Sequence, residues 1–188
     1  MKTFYILVGA VVAAVVGVIA HVPPRELDWD GHVVPMAQRF AGTDDDEAPL
    51  TGNIVVVTGA TSGIGKSLTQ KLSRLGARVV ALGRSPRKLQ NLRDEIPSID
   101  TVEVDLVDLA SVAAAARQVS ERYTHIDILI NNAGIHDGFS NMLGTSVSAQ
   151  GYDQVFAVNY LSHFLLTELL TPKLLNSTKP TVAHVASS

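Results

Sequence analysis

Thr58-Gly59-Ala60-Thr61-Ser62-Gly63-Ile64-Gly65 is the stretch on which the fold turns. The apolar, β-branched run Ile54-Val55-Val56-Val57 leads into it, and a helix-like segment, Lys66 to Leu75, leads out. A strand that enters a glycine turn and leaves as a helix presents free backbone N–H groups at the helix N-terminus. Those groups and the helix dipole favour an anion, typically a phosphate. The first glycine permits a tight turn, the middle one lets backbone approach a ligand, and the last lets helix and strand pack closely. A loose three-glycine pattern is weak alone; its position between strand and helix gives it meaning.

Outward from this turn the same alternation repeats. Asn53 to Val57 reads as a buried strand, Lys66 to Leu75 as a helix, and Gly76 as its stop. Arg78 to Leu82 is a second strand, and Pro86 to Glu95 a second helix ended by Pro97. Thr101 to Val104 is a short third strand, followed by an alanine-rich helix from Leu109 to Tyr123. Ile126 to Ile130 is a fourth strand, Tyr152 to Leu170 a long helix, and Thr181 to Val185 a fifth strand. Strands alternating with helices predict a parallel sheet covered on both faces.

The 188 residues suffice for one domain with a real core, and 46% hydrophobic content argues against disorder. The net charge of -3 comes from the front of the chain. Residues 1–50 carry three basic and seven acidic side chains, whereas residues 51–188 carry twelve and eleven. A body so balanced gives no support to nucleic-acid binding. The absence of cysteine excludes disulfides, thiol catalysis and zinc–thiolate sites. The six histidines show neither HExxH nor helical i, i+4 spacing, so no metal site is expected.

Phe4 to Ala20 is an unbroken apolar run preceded by Lys2. Its length matches the short end of a membrane-spanning helix, about 17–25 residues, and exceeds a signal-peptide core of about 7–15. Residues 1–22 are therefore expected to form an N-terminal membrane anchor, with a cleaved signal as the alternative. Residues 23–49 form a linker with four prolines and the acidic run Asp44-Asp45-Asp46-Glu47, and residues 50–188 form the globular body.

Beyond the glycine turn, chemistry gathers after each strand. A carboxylate after the second strand would hydrogen-bond the 2′-hydroxyl of NAD, and a basic residue there would pair with the 2′-phosphate of NADP. The chain reads Leu82-Gly83-Arg84-Ser85, and a guanidinium can bind phosphate bidentately. NADP(H) is therefore expected in preference to NAD(H). Asp105 follows the third strand, where it could meet an adenine amino group or simply form a turn. Asn131-Asn132-Ala133-Gly134 follows the fourth, at the strand end where open α/β sheets bind ligands.

Together these motifs resemble the short-chain dehydrogenase/reductases, and more narrowly the retinol-dehydrogenase-like branch with an N-terminal membrane anchor. The resemblance rests on Thr58 to Gly65, Gly83-Arg84, Asp105-Leu106, Asn131 to Gly134 and the block Val158 to Thr167, in family order over Leu50 to Ser188. It implies an α/β, Rossmann-type, doubly wound parallel sheet, incomplete here at about five strands. It also implies hydride transfer between NADP(H) and an alcohol or carbonyl on a small lipophilic substrate. By resemblance, Thr58, Gly59, Ser62, Gly63, Ile64 and Gly65 line the pyrophosphate turn. Arg84 meets the 2′-phosphate, Asp105 and Leu106 the adenine, and Asn131, Ala133 and Gly134 the region near the nicotinamide ribose. Asn159 matches the helix asparagine that supports a proton relay, and Ser188 the serine that polarises the substrate oxygen. The implied partners are the dinucleotide, the substrate, a membrane reached through the N-terminal helix, and a second copy of the chain as a homodimer. The implied location is the endoplasmic reticulum or another endomembrane, or the secretory pathway after signal cleavage.

The sequence departs from the family in one respect. The family's catalytic Tyr-x-x-x-Lys follows that serine on the next helix. Here Tyr5, Tyr123, Tyr152 and Tyr160 are followed four residues later by Gly9, Asp127, Phe156 and Phe164. A tyrosine, with a pKa near 10, needs a neighbouring cation to act as an acid or base at neutral pH. The 188 residues are thus expected to carry mainly the cofactor-binding half, as a fragment or as a non-catalytic nucleotide-binding or regulatory protein. The fifth strand is expected to present an unpaired, aggregation-prone edge.

Overall fold

The structure, a computed structural model, describes residues 50–136 and 147–185. Five parallel strands run β1 (Ile54–Thr58), β2 (Arg78–Gly83), β3 (Asp100–Glu103), β4 (Ile128–Asn131) and β5 (Thr181–His184). Their order in the sheet is β3-β2-β1-β4-β5. The chain works outward from β1 through β2 to β3, then returns to the other side of β1 for β4 and β5. The direction of winding therefore reverses between β1 and β4. At that reversal the connections leave on opposite faces and open a crevice at the carboxyl ends of the strands.

Helices cover both faces. They are α1 (Gly63–Arg74), α2 (Pro86–Glu95), α3 (Leu109–Arg122), a single turn α4 (Gln154–Phe156) and α5 (Ser162–Leu175). Because side chains alternate along a strand, β1 feeds two cores. Val55 and Val57 pack with Leu68, Leu72 and Leu92 beneath α1 and α2. Ile54 and Val56 pack with Val112, Val119, Leu166 and Leu170 beneath α3 and α5. Burial of both faces explains the uninterrupted apolar reading of β1, β2 and β4.

The helix starts follow local chemistry. Ser85 caps α2 by accepting from the Lys88 N–H, and Pro86 occupies the first turn, where its missing donor costs nothing. Asp108 caps α3 through Ala110 N–H at 2.9 Å. Helix α1 starts at Gly63, inside the glycine turn, three residues earlier than the pattern from Lys66 suggests.

The expected single helix from Tyr152 to Leu170 is corrected in three ways. It starts at Gln154, where Asp153 accepts from the Phe156 N–H at 2.8 Å. It contains a π-helical segment, Ala157–Leu161, and it runs through Pro172 to Leu175. The π segment arises because the Ser162 N–H bonds the Ala157 carbonyl, five residues back, while the Ser162 hydroxyl takes up the vacated Val158 carbonyl at 2.8 Å. Pro172 removes one helix donor, but Leu170 and Leu174 are fully buried on either side. Lys173 also accepts a backbone bond from Ile126 at 3.0 Å. Tertiary packing outweighs the local cost.

Residues 1–22 and 23–49, expected as anchor and linker, lie outside the described residues, as does Ser188. Among the described residues no helix is long and apolar enough to cross a membrane. β5 is an edge strand of the described sheet.

Candidate cofactor site at the carboxyl edge of the sheet

A groove opens at the winding reversal. Gly59, Ser62, Arg84, Asp105, Gly134 and Gln154 are among the residues lining it. Its near wall is the glycine turn. Gly59 adopts φ +66, and a Cβ there would stand 2.9 Å from Ala133 Cα. A Cβ on Gly65 would fall 2.2 Å from the Gly59 carbonyl oxygen and 2.4 Å from Asn132 Nδ2. Only glycine lets α1 approach β1 this closely. A Cβ on Gly63 would meet open space, but its φ of +52 favours glycine. Ser62 precedes α1, and its hydroxyl makes no capping bond to the helix. Ile64 is exposed. Four helical N–H groups at the α1 N-terminus have no helical partner, and no acidic side chain occupies its first turn.

Thr58 and Asn131 do not line the groove. Thr58 is fully buried, and its hydroxyl accepts from the N–H groups of Asn132, at 2.9 Å, and Ala133, at 3.0 Å. Asn131 is also buried. Its Nδ2 donates to Thr167 Oγ1 at 3.1 Å and lies 3.5 Å from His184 Nδ1. Its Oδ1 has no partner among the described residues. Both residues fasten the loop after β4 to its surroundings.

The far wall is polar and cationic. Arg84 is exposed just past β2, and Lys88 follows on the first turn of α2. Neither is ion-paired among the described residues. Asp105 accepts from the Val107 N–H at 3.1 Å, the turn role that one reading of the sequence allowed, and the residue also borders the groove. Leu106 lines the groove beside it and also belongs to the core. Ala133 and Gly134 form the floor. Asn159 sits in the π segment and holds that floor from above. Its Oδ1 accepts from the Ile135 N–H and its Nδ2 donates to the Ile135 carbonyl, both at 2.9 Å.

Two residues of the quoted motifs that were given no part of their own in the site meet here. Asn132 donates its side-chain N–H to the Thr58 carbonyl at 2.9 Å, so it ties β4 to β1 under the glycine turn. His163 is buried, with Nε2 3.1 Å from Thr58 Oγ1. Burial pushes its pKa down to about 4, so the imidazole is neutral at physiological pH; a hydrogen bond to the Asn159 backbone works against that shift and His184 adds to it. Burial also lowers the pKa of His184. His163 stands four residues after Asn159, on the same helix face, and that spacing was the available signal. Among the described residues no group of acidic or histidine side chains could hold a metal ion.

Comparison with known proteins agrees with this geometry. The short chain dehydrogenase family matches residues 53–188. Human retinol dehydrogenase 11 is 35% identical over 153 residues, covering 78% of this chain and 46% of its own length. Retinol dehydrogenase 12 of Bos taurus is 35% identical over 164 residues, covering 82% and 50%. Among solved structures, a metagenomic short-chain oxidoreductase in complex with NADP superposes with a TM-score of 0.63 at 30% identity, covering 73% of this chain and 63% of that one. The RhlG/NADP active-site complex of Pseudomonas aeruginosa gives 0.62 at 29% identity, covering 73% and 56%. The chain belongs to the short-chain dehydrogenase family. It spans about half the length of the curated relatives it matches.

Proposed function

We propose that this chain binds NADP(H) in preference to NAD(H). In that reading it is the cofactor-binding part of an oxidoreductase that interconverts an alcohol and a carbonyl on a small lipophilic substrate. The observation that carries the cofactor choice is the pair of cations at the adenosine end of the groove. Arg84 and Lys88 stand there without an acidic neighbour in Leu82-Gly83-Arg84-Ser85. A 2′-phosphate would meet a guanidinium, an ammonium and the start of α2 together. The residues present fit the cofactor: the open face at Gly63, the free N–H groups of α1 and the hydroxyl of Ser62 suit the pyrophosphate. Gly59, Ile64 and Gly65 shape that turn, Asp105 and Leu106 border the adenine, and Ala133 and Gly134 the nicotinamide ribose. Thr58, Asn131 and Asn159 hold the loop that carries those last two. When bound, the nicotinamide supplies or accepts the hydride.

The names of the retinol dehydrogenase relatives support a lipophilic alcohol or aldehyde as substrate. Ser188 would act on the substrate oxygen. The apolar run Phe4 to Ala20 supports a membrane anchor over residues 1–22, in the endoplasmic reticulum or another endomembrane, with 23–49 as linker and 50–188 as nucleotide-binding body. A homodimer is supported by an exposed aromatic row, Phe156, Tyr160 and Phe164, whose rings stack along one helix face.

Fluorescence titration with NADPH and NADH tests the cofactor choice. The wild-type chain should prefer NADPH, and Arg84→Ala should weaken NADPH roughly tenfold or more while leaving NADH unchanged. Equal losses for both cofactors, or none, would remove the basis for the preference.

A further inference from the structure

A buried imidazole costs desolvation that a leucine at the same position would not, so its polar atoms must be used. The bonds around His163 fix how. Thr58 Oγ1 has two lone pairs, and the N–H groups of Asn132 and Ala133 occupy both. Its one proton must therefore be donated. The nearer acceptor is His163 Nε2, at 3.1 Å, against 3.5 Å for the Ile130 carbonyl. An Nε2 that accepts carries no proton, so the neutral ring holds its proton on Nδ1. His163 stands four residues after Asn159 on the same run of helix. The latter lies within the π segment, where the regular carbonyl ladder is already broken. Asn159 in turn grips the Ile135 backbone through both of its side-chain polar atoms.

The groove floor is held from two sides: Asn132 and Ala133 bond to Thr58 and Thr58 to His163, while Asn159, on the same run of helix as His163, bonds to Ile135. Through Thr58, His163 joins the sheet edge to the helix above it, alongside the bond from Asn131 to Thr167. We propose that His163, as the Nδ1–H tautomer, is a positioning residue that locks the loop Asn132 to Ile135 between β1 and the π segment. It thereby holds the surface against which the nicotinamide half of the dinucleotide lies. The second clause rests on the NADP(H) reading above; the tautomer and the lock do not. The titratable neighbour from the packed elements is His184 on β5, whose own pKa burial lowers. A protonated His163 would present an N–H to the Thr58 oxygen and break the bond between helix and sheet edge.

Three measurements on the full chain in detergent micelles test the proposal. Nitrogen NMR of the imidazoles between pH 6.5 and 8 should show His163 protonated on Nδ1 and bare on Nε2. The opposite tautomer, or an imidazolium, would overturn the assignment without any variant. Amide hydrogen exchange should then quicken about tenfold or more at Asn132 and Ala133 in His163→Leu, with global unfolding little changed because leucine suits the apolar helix face. His163→Gln, which can still accept from Thr58, should restore part of the protection. Exchange at the wild-type rate in His163→Leu would mean that the loop does not depend on the histidine. Finally, NADPH should bind His163→Leu roughly tenfold more weakly, with the glutamine variant between. Wild-type affinity in the leucine variant would remove the link to the cofactor. Failure of the wild-type chain to bind NADPH at all would overturn the proposed function, while tautomer and exchange would still decide the role of His163.

Discussion

Strand β2 carries an arginine at each end, and the two live in different chemical worlds. Arg78, at the amino end, is bonded to Asp100 through Nε at 3.1 Å and lies over the Tyr123 ring at 5.1 Å. Tyr123 in turn donates to Asp100. Arg84, just past the carboxyl end, has no such partners among the described residues. The contrast extends across the sheet. At the amino edge, the buried Asp127 accepts from Ile54 N–H at 2.8 Å and Ser177 Oγ at 2.6 Å, while its backbone carbonyl takes Thr181 N–H at 2.9 Å. That single residue joins β1, β4 and β5 and leaves little over. At the carboxyl edge, Thr58 does the corresponding job with a neutral hydroxyl, but around it glycines, helix N–H groups and cations face an open groove. One edge closes on itself; the other turns its polar groups toward an open groove.

The largest break in that comparison is Gly65→Val. Even the first carbon of the new side chain would overlap the Gly59 carbonyl and the Asn132 amide, both backed by β1 and β4. Strand and helix would have to separate, at a cost at or above the usual overpacking range of about 1–3 kcal/mol. Loss of cooperative melting together with loss of NADPH binding is the expected result; a stable variant that still binds would show that the close approach is dispensable.

Asp127→Ala and Thr58→Val strike the two fasteners. The first leaves Ile54 N–H and Ser177 Oγ without their acceptor and should cost about 3 kcal/mol. NADPH affinity of the folded fraction should be untouched. The second preserves shape but strands the Asn132 and Ala133 N–H groups, at about 2 kcal/mol, and should weaken NADPH as well. Denaturant melts paired with cofactor titration separate the two; a ligand effect from Asp127→Ala would erase the distinction between the edges.

Acid should separate the edges too. The unfolded chain protonates its histidines near the ordinary 6.5, whereas burial holds His163 down to about 4. Stability from this group is complete above pH ~6.5 and drains as pH falls toward 4, for about 3 kcal/mol in all. The amino edge titrates lower. Burial alone would raise the Asp100 pKa, but the bonds from Tyr123 and Arg78 outweigh it and lower the group below its ordinary 3.8. Its contribution is therefore present above that value and lost as pH falls through the lower folded one. His163→Leu should flatten the melting-temperature slope between pH 6.5 and 4 and leave the steeper acid limb. An unchanged upper slope would place the titrating group elsewhere.

Legibility in the sequence followed the range of the interactions. Helix α2 was readable to both ends, because Ser85, Pro86 and Pro97 signal locally. The glycine turn was readable for the same reason. The π segment was not, since it depends on a serine hydroxyl taking one carbonyl while its N–H takes another. Nor was the passage of α5 through Pro172, which rests on the burial of Leu170 and Leu174 by distant elements. Of the residues that line the groove, Arg84 and Asp105 stood out by type and by their places after strands, whereas Ser62 entered only through the resemblance. Asn132 and His163, which bond to Thr58, stood within quoted motifs with no part at the site assigned to them. Only the sheet register, which brings residues over seventy positions apart to Thr58, gives them a role.

The smallest expected effect returns to the two arginines. Arg78→Ala should cost at most about 1 kcal/mol, because the side chain is largely exposed and water screens its ion pair with Asp100. Loss of its contact with the Tyr123 ring contributes within the same range. The substitution should also make the Tyr123 hydroxyl harder to ionise. Burial and the Asp100 bond hold that group up to about 12, and the nearby guanidinium already opposes them, so removing Arg78 moves it higher still. Asp100, losing a donor and a positive neighbour, should move back toward its ordinary value. Cofactor titration of Arg78→Ala should be indistinguishable from wild type, whereas Arg84→Ala should melt like wild type and bind NADPH poorly. If the two substitutions instead gave the same pattern, the division of β2 into a closed end and an open one would not hold, since nothing but position along one strand separates the two residues.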